Sequence, residues 1–202
     1  MMRRMTLLRR RPDVPREVFR AHWAGPHAVI AKNYPGLLKY TQNHVVQRLD
    51  AAAQDAYATD GMAELWFPDG DALKAASASG VTSQLIEDEP RFLDGVTGMI
   101  LGDAALDDGS GGVKVIVLGR RRAGSQVLAD VVDGMTYAST ASVASTWHRE
   151  TLWSLPTPPD TVVVARFVSL DAARDTVAKA TWSPLAALDA WHAYHVDEVR
   201  VV

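Results

Sequence analysis

The residues with most chemical promise lie between Phe19 and His44. The segment FRAHWAGPHAVI, Phe19 to Ile30, carries two histidines, a tryptophan and a Gly-Pro pair. The strand-like run that follows carries Tyr40, Asn43 and His44. A neutral imidazole near pH 7 can act as a general base and take an acidic proton α to a carbonyl. A tyrosine or second histidine nearby can polarise that carbonyl or donate to the enolate. His27 is the candidate base, with Tyr40 and His44 as catalytic partners. The competing reading of His27 is a satisfied core histidine on the Phe19–Trp23–Ile30 helix face. His22 lies five residues from His27, about 140° round a regular helix, so the two do not form the i, i+4 pair of a zinc helix.

These side chains need elements to hold them. Met5 to Leu8 reads as a first strand, broken by Pro12 and Pro15. A helix follows from about Arg16. Pro26 disfavours helical geometry at Gly25, so a kink or restart is expected there, with His27 in a fresh first turn. Leu37 to Leu49 and Met62 to Phe67 read as strands, Asp71 to Ser77 and Val81 to Leu93 as helices, and Val96 to Leu101 as a fourth strand. The order βαββαβ is the ferredoxin-like unit.

DAALDDGSGG, from Asp103 to Gly112, reads as a linker. The pattern then restarts with a strand at Val113 to Leu118, a helix at Ser125 to Met135 and strands at Ala141 to Arg149 and Thr161 to Val168. A helix from Asp171 and a final strand at Trp191 to Val202 complete it. WFPDGDALKAA at Trp66 resembles RFVSLDAARDT at Arg166, an offset of 100, and LLRRR at Leu7 resembles LGRRR at Leu118, an offset of 111. The fold class expected is α+β, with two tandem ferredoxin-like repeats packed as an intrachain α+β barrel. The division is 1–103, a linker at 104–112, and 113–202.

Each such unit leaves one sheet face bare, and packing the bare faces together encloses a central cavity. Strand alternation assigns Tyr40, Gln42 and His44, then Met62, Glu64 and Trp66, then Ser145, Trp147 and Arg149 to that cavity. Trp66 and Trp147 suit a flat apolar ligand. Glu64 is either a carboxyl with a raised pKa and an acid role, or the partner of an arginine such as Arg149. Asn43 reaches the Tyr40 ligand only through a bulge. Asp88, Glu89 and Phe92 read as anchors of the second helix. His192 and His195 fall on opposite strand faces and make no metal pair.

The run RRRPDVPREVFRAHWAGPHAVIAKNYPGLLKYTQNHV resembles the start of an EthD-type domain, of the dimeric α+β barrel superfamily. The positions carrying the likeness are Phe19, Trp23, His27, Pro35, Gly36, Tyr40, Asn43 and His44. It continues through DGMAELWF and EDEPRFLD. The C-terminal half resembles the fold and not the motif. The resemblance implies a ligand cavity, no cofactor and no metal. It implies a cofactor-independent enzyme that acts on a cyclic or aromatic carbonyl compound by dehydration, isomerisation or cyclisation, a lyase or isomerase. The substrate-binding set is Trp23, Asn43, Glu64, Trp66 and Trp147. The alternatives are a non-catalytic small-molecule carrier and a haem-dependent or cofactor-free monooxygenase.

Composition narrows the rest. The 202 residues include no cysteine, which excludes disulfides and thiolate metal sites. The net charge of −3 argues against a nucleic-acid partner. No window approaches a membrane span, and MMRRMTLLRRRP has no apolar core of signal-peptide length. The expectation is a cytoplasmic protein with a small cyclic or aromatic ligand, no nucleic-acid or membrane partner, and outer surfaces free for a homodimer.

Overall fold

The computed structural model describes residues 1–53, 55–102, 111–180 and 182–202. Most of the expected linker, residues 104–110, lies outside the described residues. The chain forms eight strands: β1 (Met2–Arg10), β2 (Lys39–Arg48), β3 (Gly61–Phe67), β4 (Leu93–Leu101), β5 (Val113–Arg121), β6 (Met135–His148), β7 (Thr161–Phe167) and β8 (Leu188–Arg200). They close in the order β1-β3-β2-β8-β5-β7-β6-β4, every pair antiparallel.

The two halves pair their strands alike. β1 lies between β3 and β4 as β5 lies between β7 and β8. Met2 faces Phe67 and Val113 faces Phe167, so the paired positions keep the offsets of 111 and 100 seen in the sequence. Both β1 and β5 also slip register at the same place, Arg9/Arg10 and Arg120/Arg121. The halves join through β2–β8 and β4–β6.

Helix cover is unequal. The N-terminal half carries α1 (Arg16–His22), a π-helical turn (Trp23–His27), α2 (Ala28–Ala31), α3 (Gly70–Ser77) and α4 (Gly80–Asp88). The C-terminal half carries α5 (Leu170–Lys179) and the short α6 (Ser183–Ala186). The helix expected over Ser125 to Met135 is absent, and the second half is therefore not a complete βαββαβ unit. Its backbone acceptors are taken elsewhere: the Asp130 carbonyl accepts from the Trp182 indole and the Val127 carbonyl from the Thr140 hydroxyl. Val127 and Val132 pack into the α5–α6 side of the core. Tertiary contacts override a weak helical preference in a stretch rich in β-branched valine. The caps of α3 and α5 are Asp69 and Ser169, each accepting from the amide three residues on.

Among the described residues the barrel interior is packed rather than open. Met5, Leu7, Val45, Met62, Met99, Leu101, Ile116, Leu118, Ala141, Val162, Val164, Tyr194 and Val196 come from all eight strands and fill its interior as one apolar cluster. A second cluster, with Leu8, Ala63, Leu65, Phe67 and Val96, lies on the outer sheet face under α1 to α4. This outer layer, not the barrel, holds the free volume.

Candidate functional site

The helix that delivers His27 is not interrupted at Pro26. His22, His27 and Ala28 all keep right-handed helical dihedrals, and the chain passes Pro26 in one wide π-turn, WAGPH. Pro26 has no N–H for an i−4 bond, and its ring crowds the preceding turn. A π-turn absorbs both faults without ending the helix, and such turns recur at functional sites. The expected restart and its free amides are therefore absent. The wider turn also changes the angle between the two histidines.

His22 and His27 meet at Asp88, the last residue of α4. His27 Nδ1 lies 3.0 Å from Asp88 Oδ2, and His22 Nε2 lies 3.0 Å from both carboxylate oxygens. Burial raises the pKa of the Asp88 carboxyl, but hydrogen bonds from His27 and His22 outweigh it and bring the net value below the ordinary one. An ionised carboxylate only accepts, so His27 Nδ1 carries the proton. Its Nε2 is then the basic nitrogen, and among the described residues it makes no hydrogen bond. Phe92 packs against both rings, with centroids 4.6 Å from His22 and 5.1 Å from His27.

His27 lines a small chamber between the outer sheet face and the helices, with Thr6, Leu8, Tyr34, Tyr40, Leu65 and Glu89. The chamber holds about 30 Å³, room for roughly one or two waters. Beyond it lies a cleft of about 450 Å³ lined by Leu73, Lys74, Ile100, Ser145 and others. That volume is in the range of about 300–1,000 Å³ usual for small-molecule sites. Arg4, Trp147 and Arg149 border both spaces and form the wall between them. Arg4 sits over Tyr34 at 4.9 Å and over Trp147 at 5.5 Å, and Arg149 over Trp147 at 4.8 Å. Arg149 is fixed by a two-pronged pair with Glu89 at 2.7 and 3.0 Å. Gly98 on β4 faces Trp147 on β6, and a Cβ there would fall 1.8 Å from the indole. The bare glycine lets the ring lie flat on the strand.

The other expected site residues separate into three places. Tyr40 lies on the helix side, borders the chamber, and accepts a 2.8 Å bond from Gln42 Nε2. Burial pushes its phenol up to about 12, so it stays a neutral donor. His44 shares that side but lies under Trp23, with ring centroids 4.3 Å apart and its Nε2 on Gln42. It borders neither space, and burial holds its pKa down to about 4. Trp23 is likewise fully buried, seated on Gly61, where a Cβ would come within 2.4 Å of the indole.

The β2 assignment is thus inverted: Tyr40, Gln42 and His44 face the helices, while Asn43 faces the barrel. The middle of β2, Tyr40 to Val45, is buried on both sides, so alternation alone did not say which side was inward. Asn43, Glu64 and Trp66 lie inside the barrel, remote from the chamber. Glu64 pairs with Arg3, with Lys114 at 3.0 Å and with Asn43 at 2.7 Å. Burial raises the Glu64 pKa, but the Arg3 and Lys114 charges and two hydrogen bonds overcome it and leave the carboxyl at about 2. The raised pKa of the first reading is corrected, and the arginine partner of the second is Arg3 rather than Arg149. Trp66 is stacked by Arg3 at 5.2 Å and Lys39 at 4.5 Å. Of the expected binding residues, Trp147 lies in the cleft, on the outer face of the barrel.

Residues 11–95 match the family model described as EthD domain. The match is confined to this segment. It contains α1, the π-turn, α4 and both histidines. The whole chain is similar in fold to an anthrone oxidase-like protein, at 11% identity and a TM-score of 0.62, covering 99% of this chain and 92% of the other. A protein of Lactobacillus acidophilus NCFM named as a monooxygenase aligns at 12% identity and a TM-score of 0.51, over 100% and 94% of the two chains. A mutant chlorite dismutase of Candidatus Nitrospira defluvii aligns at 8% identity and 0.53, over 97% and 91%. No curated protein sequence matches. At these identities the likeness is one of fold.

Two cleft-wall residues, Trp147 and Arg149, come from outside the EthD match, and Arg4 precedes it. Asp88 is the residue that sequence reasoning undervalued: it lies 61 positions from His27, and nothing local links the two. EDEPRFLD within the family pattern was the one signal available. Among the described residues no three His, Asp or Glu side chains converge as a metal site. The chamber beside His27, at about 30 Å³, is too small for a porphyrin. Among the described residues no helix is long and apolar enough to cross a membrane.

Proposed function

We propose that this protein is an enzyme that abstracts a proton from a flat cyclic or aromatic carbonyl compound, with His27 as the base. The observation that carries the reading is the buried His27 ring, anchored at Nδ1 by an ionised Asp88, with Nε2 left for the chamber. The substrate enters from the 450 Å³ cleft, and Trp147 turns off Gly98 to open the wall. The C–H bond breaks, its proton goes to His27 Nε2, and the electron pair moves onto the carbonyl oxygen. The neutral Tyr40 phenol is the donor for that oxygen. Asp88 holds the imidazole in the correct tautomer and stabilises the imidazolium that forms. His22, half-buried on the other side of Asp88, gives the proton a route outward.

The resulting enolate can be reprotonated, lose a leaving group, or react with dioxygen. The names of the similar structures favour the oxidative fate over the lyase or isomerase expected from sequence. Proton abstraction is common to all three. We also read residues 1–103 and 113–202 as copies of one ferredoxin-like unit, supported by the common register offsets; the second copy has lost its first helix.

The test uses 2-tetralone and anthrone. Proton NMR in D₂O follows loss of the α-protons of 2-tetralone, and an oxygen electrode follows anthrone. Exchange or uptake above the buffer rate, lost in His27→Gln, supports the reading. Equal rates for wild type and His27→Gln reject it.

A further inference from the structure

Arg4 is a buried cation without a carboxylate. Its residue is 7% exposed, its Nε has no hydrogen-bond partner, and no ion pair reaches its guanidinium among the described residues. Other buried arginines of this molecule are matched: Arg3 by Glu64, Arg149 by Glu89 and Arg166 by Glu198. Burying an unpaired charge is costly, and such groups are normally paired or bonded to a ligand. What Arg4 has instead is two aromatic faces, Tyr34 and Trp147, which hold the guanidinium in place without using its N–H groups. Arg4 also borders both the His27 chamber and the outer cleft.

The surrounding charge has the same sign. Lys74 and Arg149 line the outer cleft with Arg4, and among the described residues no acidic side chain lines it. Glu89, in the inner chamber, is already engaged by Arg149. A planar guanidinium with free donors suits a carboxylate, which it grips through two parallel N–H···O bonds. Trp147 beside it offers a flat surface for a ring attached to that carboxylate.

We propose that the ligand of this cleft is an aromatic or cyclic carboxylate, and that Arg4 is the anchor of its carboxylate group. The inference names the substrate class for the reaction proposed above and rests on that reading for the purpose of the anion. The binding itself does not require turnover. Anchoring at Arg4, on the wall shared with the chamber, leaves the ring of the ligand to extend toward His27 once Trp147 has turned.

Calorimetry with 2-naphthoate and its neutral analogue 2-naphthamide tests this without knowledge of the natural substrate. Wild type should bind the carboxylate about 10- to 100-fold more tightly than the amide, the range of a charge-assisted hydrogen-bond pair. Arg4→Gln should abolish that preference, and Arg4→Lys should retain part of it. His27→Gln should leave it intact. A preference for the carboxylate with no isotope exchange would keep the anchor and reject the proton-transfer reading. Equal affinity for the two ligands in wild type, including no measurable binding of either, would overturn the proposal. So would a preference that survives in a folded Arg4→Gln protein.

Discussion

His27 Nδ1 and Asp88 Oδ2 lie 3.0 Å apart, one at the end of a π-turn and the other at the end of α4. The contact ties together two helices and fixes the ring that faces the chamber. Its chemical role and its structural role separate by substitution. Asp88→Asn retains the shape and loses the charge, and should reduce 2-tetralone exchange by about 10- to 100-fold, whereas His27→Gln should cost roughly 10²- to 10⁴-fold. Circular dichroism melts show whether either protein is merely unfolded. A normal exchange rate in folded Asp88→Asn would remove Asp88 from the mechanism.

Gly98→Ala probes the wall from the opposite strand. The new Cβ meets Trp147, a partly exposed ring that can swing away, so stability should change little while 2-naphthoate binding weakens severalfold. Quenching of tryptophan fluorescence by acrylamide should rise as the indole leaves the strand. Unaltered binding and quenching would mean that Trp147 does not shape the cleft.

Gly61→Ala makes the contrasting case. Its Cβ would fall 2.4 Å from a Trp23 ring that is fully buried and has nowhere to go. Overpacking of this kind costs about 1–3 kcal/mol. Trp23→Phe removes the clashing ring atoms, so the double variant should recover part of the loss. Urea unfolding of the four proteins measures the coupling, and strict additivity would contradict the packing account.

Glu64 sets an acid limit on the fold. Its carboxyl drops from an ordinary 4.5 to about 2 on folding, so it contributes stability above pH 4.5 that is lost as pH falls toward 2. Glu64→Gln leaves Arg3 without the Glu64 charge and Lys114 with one carboxylate fewer, and should cost about 3–5 kcal/mol at neutral pH. Melting temperatures from pH 7 to 2 should show the wild-type advantage shrinking below pH 4.5. A constant difference across that range would mean that Glu64 does not titrate as described.

His44 should behave as a packed core histidine. Its pKa falls from 6.5 to about 4, because burial disfavours the imidazolium. Stability from its neutral form is present above pH 6.5 and is lost as pH falls through 4. Nitrogen NMR of the rings should find His44 neutral at pH 5.5. His44→Leu should retain 2-tetralone exchange; a loss of turnover in a folded protein would return His44 to the site.

The sequence alone determined the order of strands and helices in the first half, the EthD motif and the offsets of 111 and 100, which reappear in the strand register. These are local or periodic signals, carried by turn residues, alternation and a short motif. The tertiary structure decided what alternation leaves open. β2 and β3 are buried on both faces, so period two marks two sides and names neither as inward. Hence Tyr40 moved to the helix side and Asn43 to the barrel interior. The expected central cavity vanished because methionine, leucine, isoleucine and valine from all eight strands fill it. Asp88 and Arg4 gained their meaning only from closure of the fold. One is the partner that His27 finds 61 residues away, and the other is a buried arginine to which packing brought aromatic faces and, among the described residues, no acid.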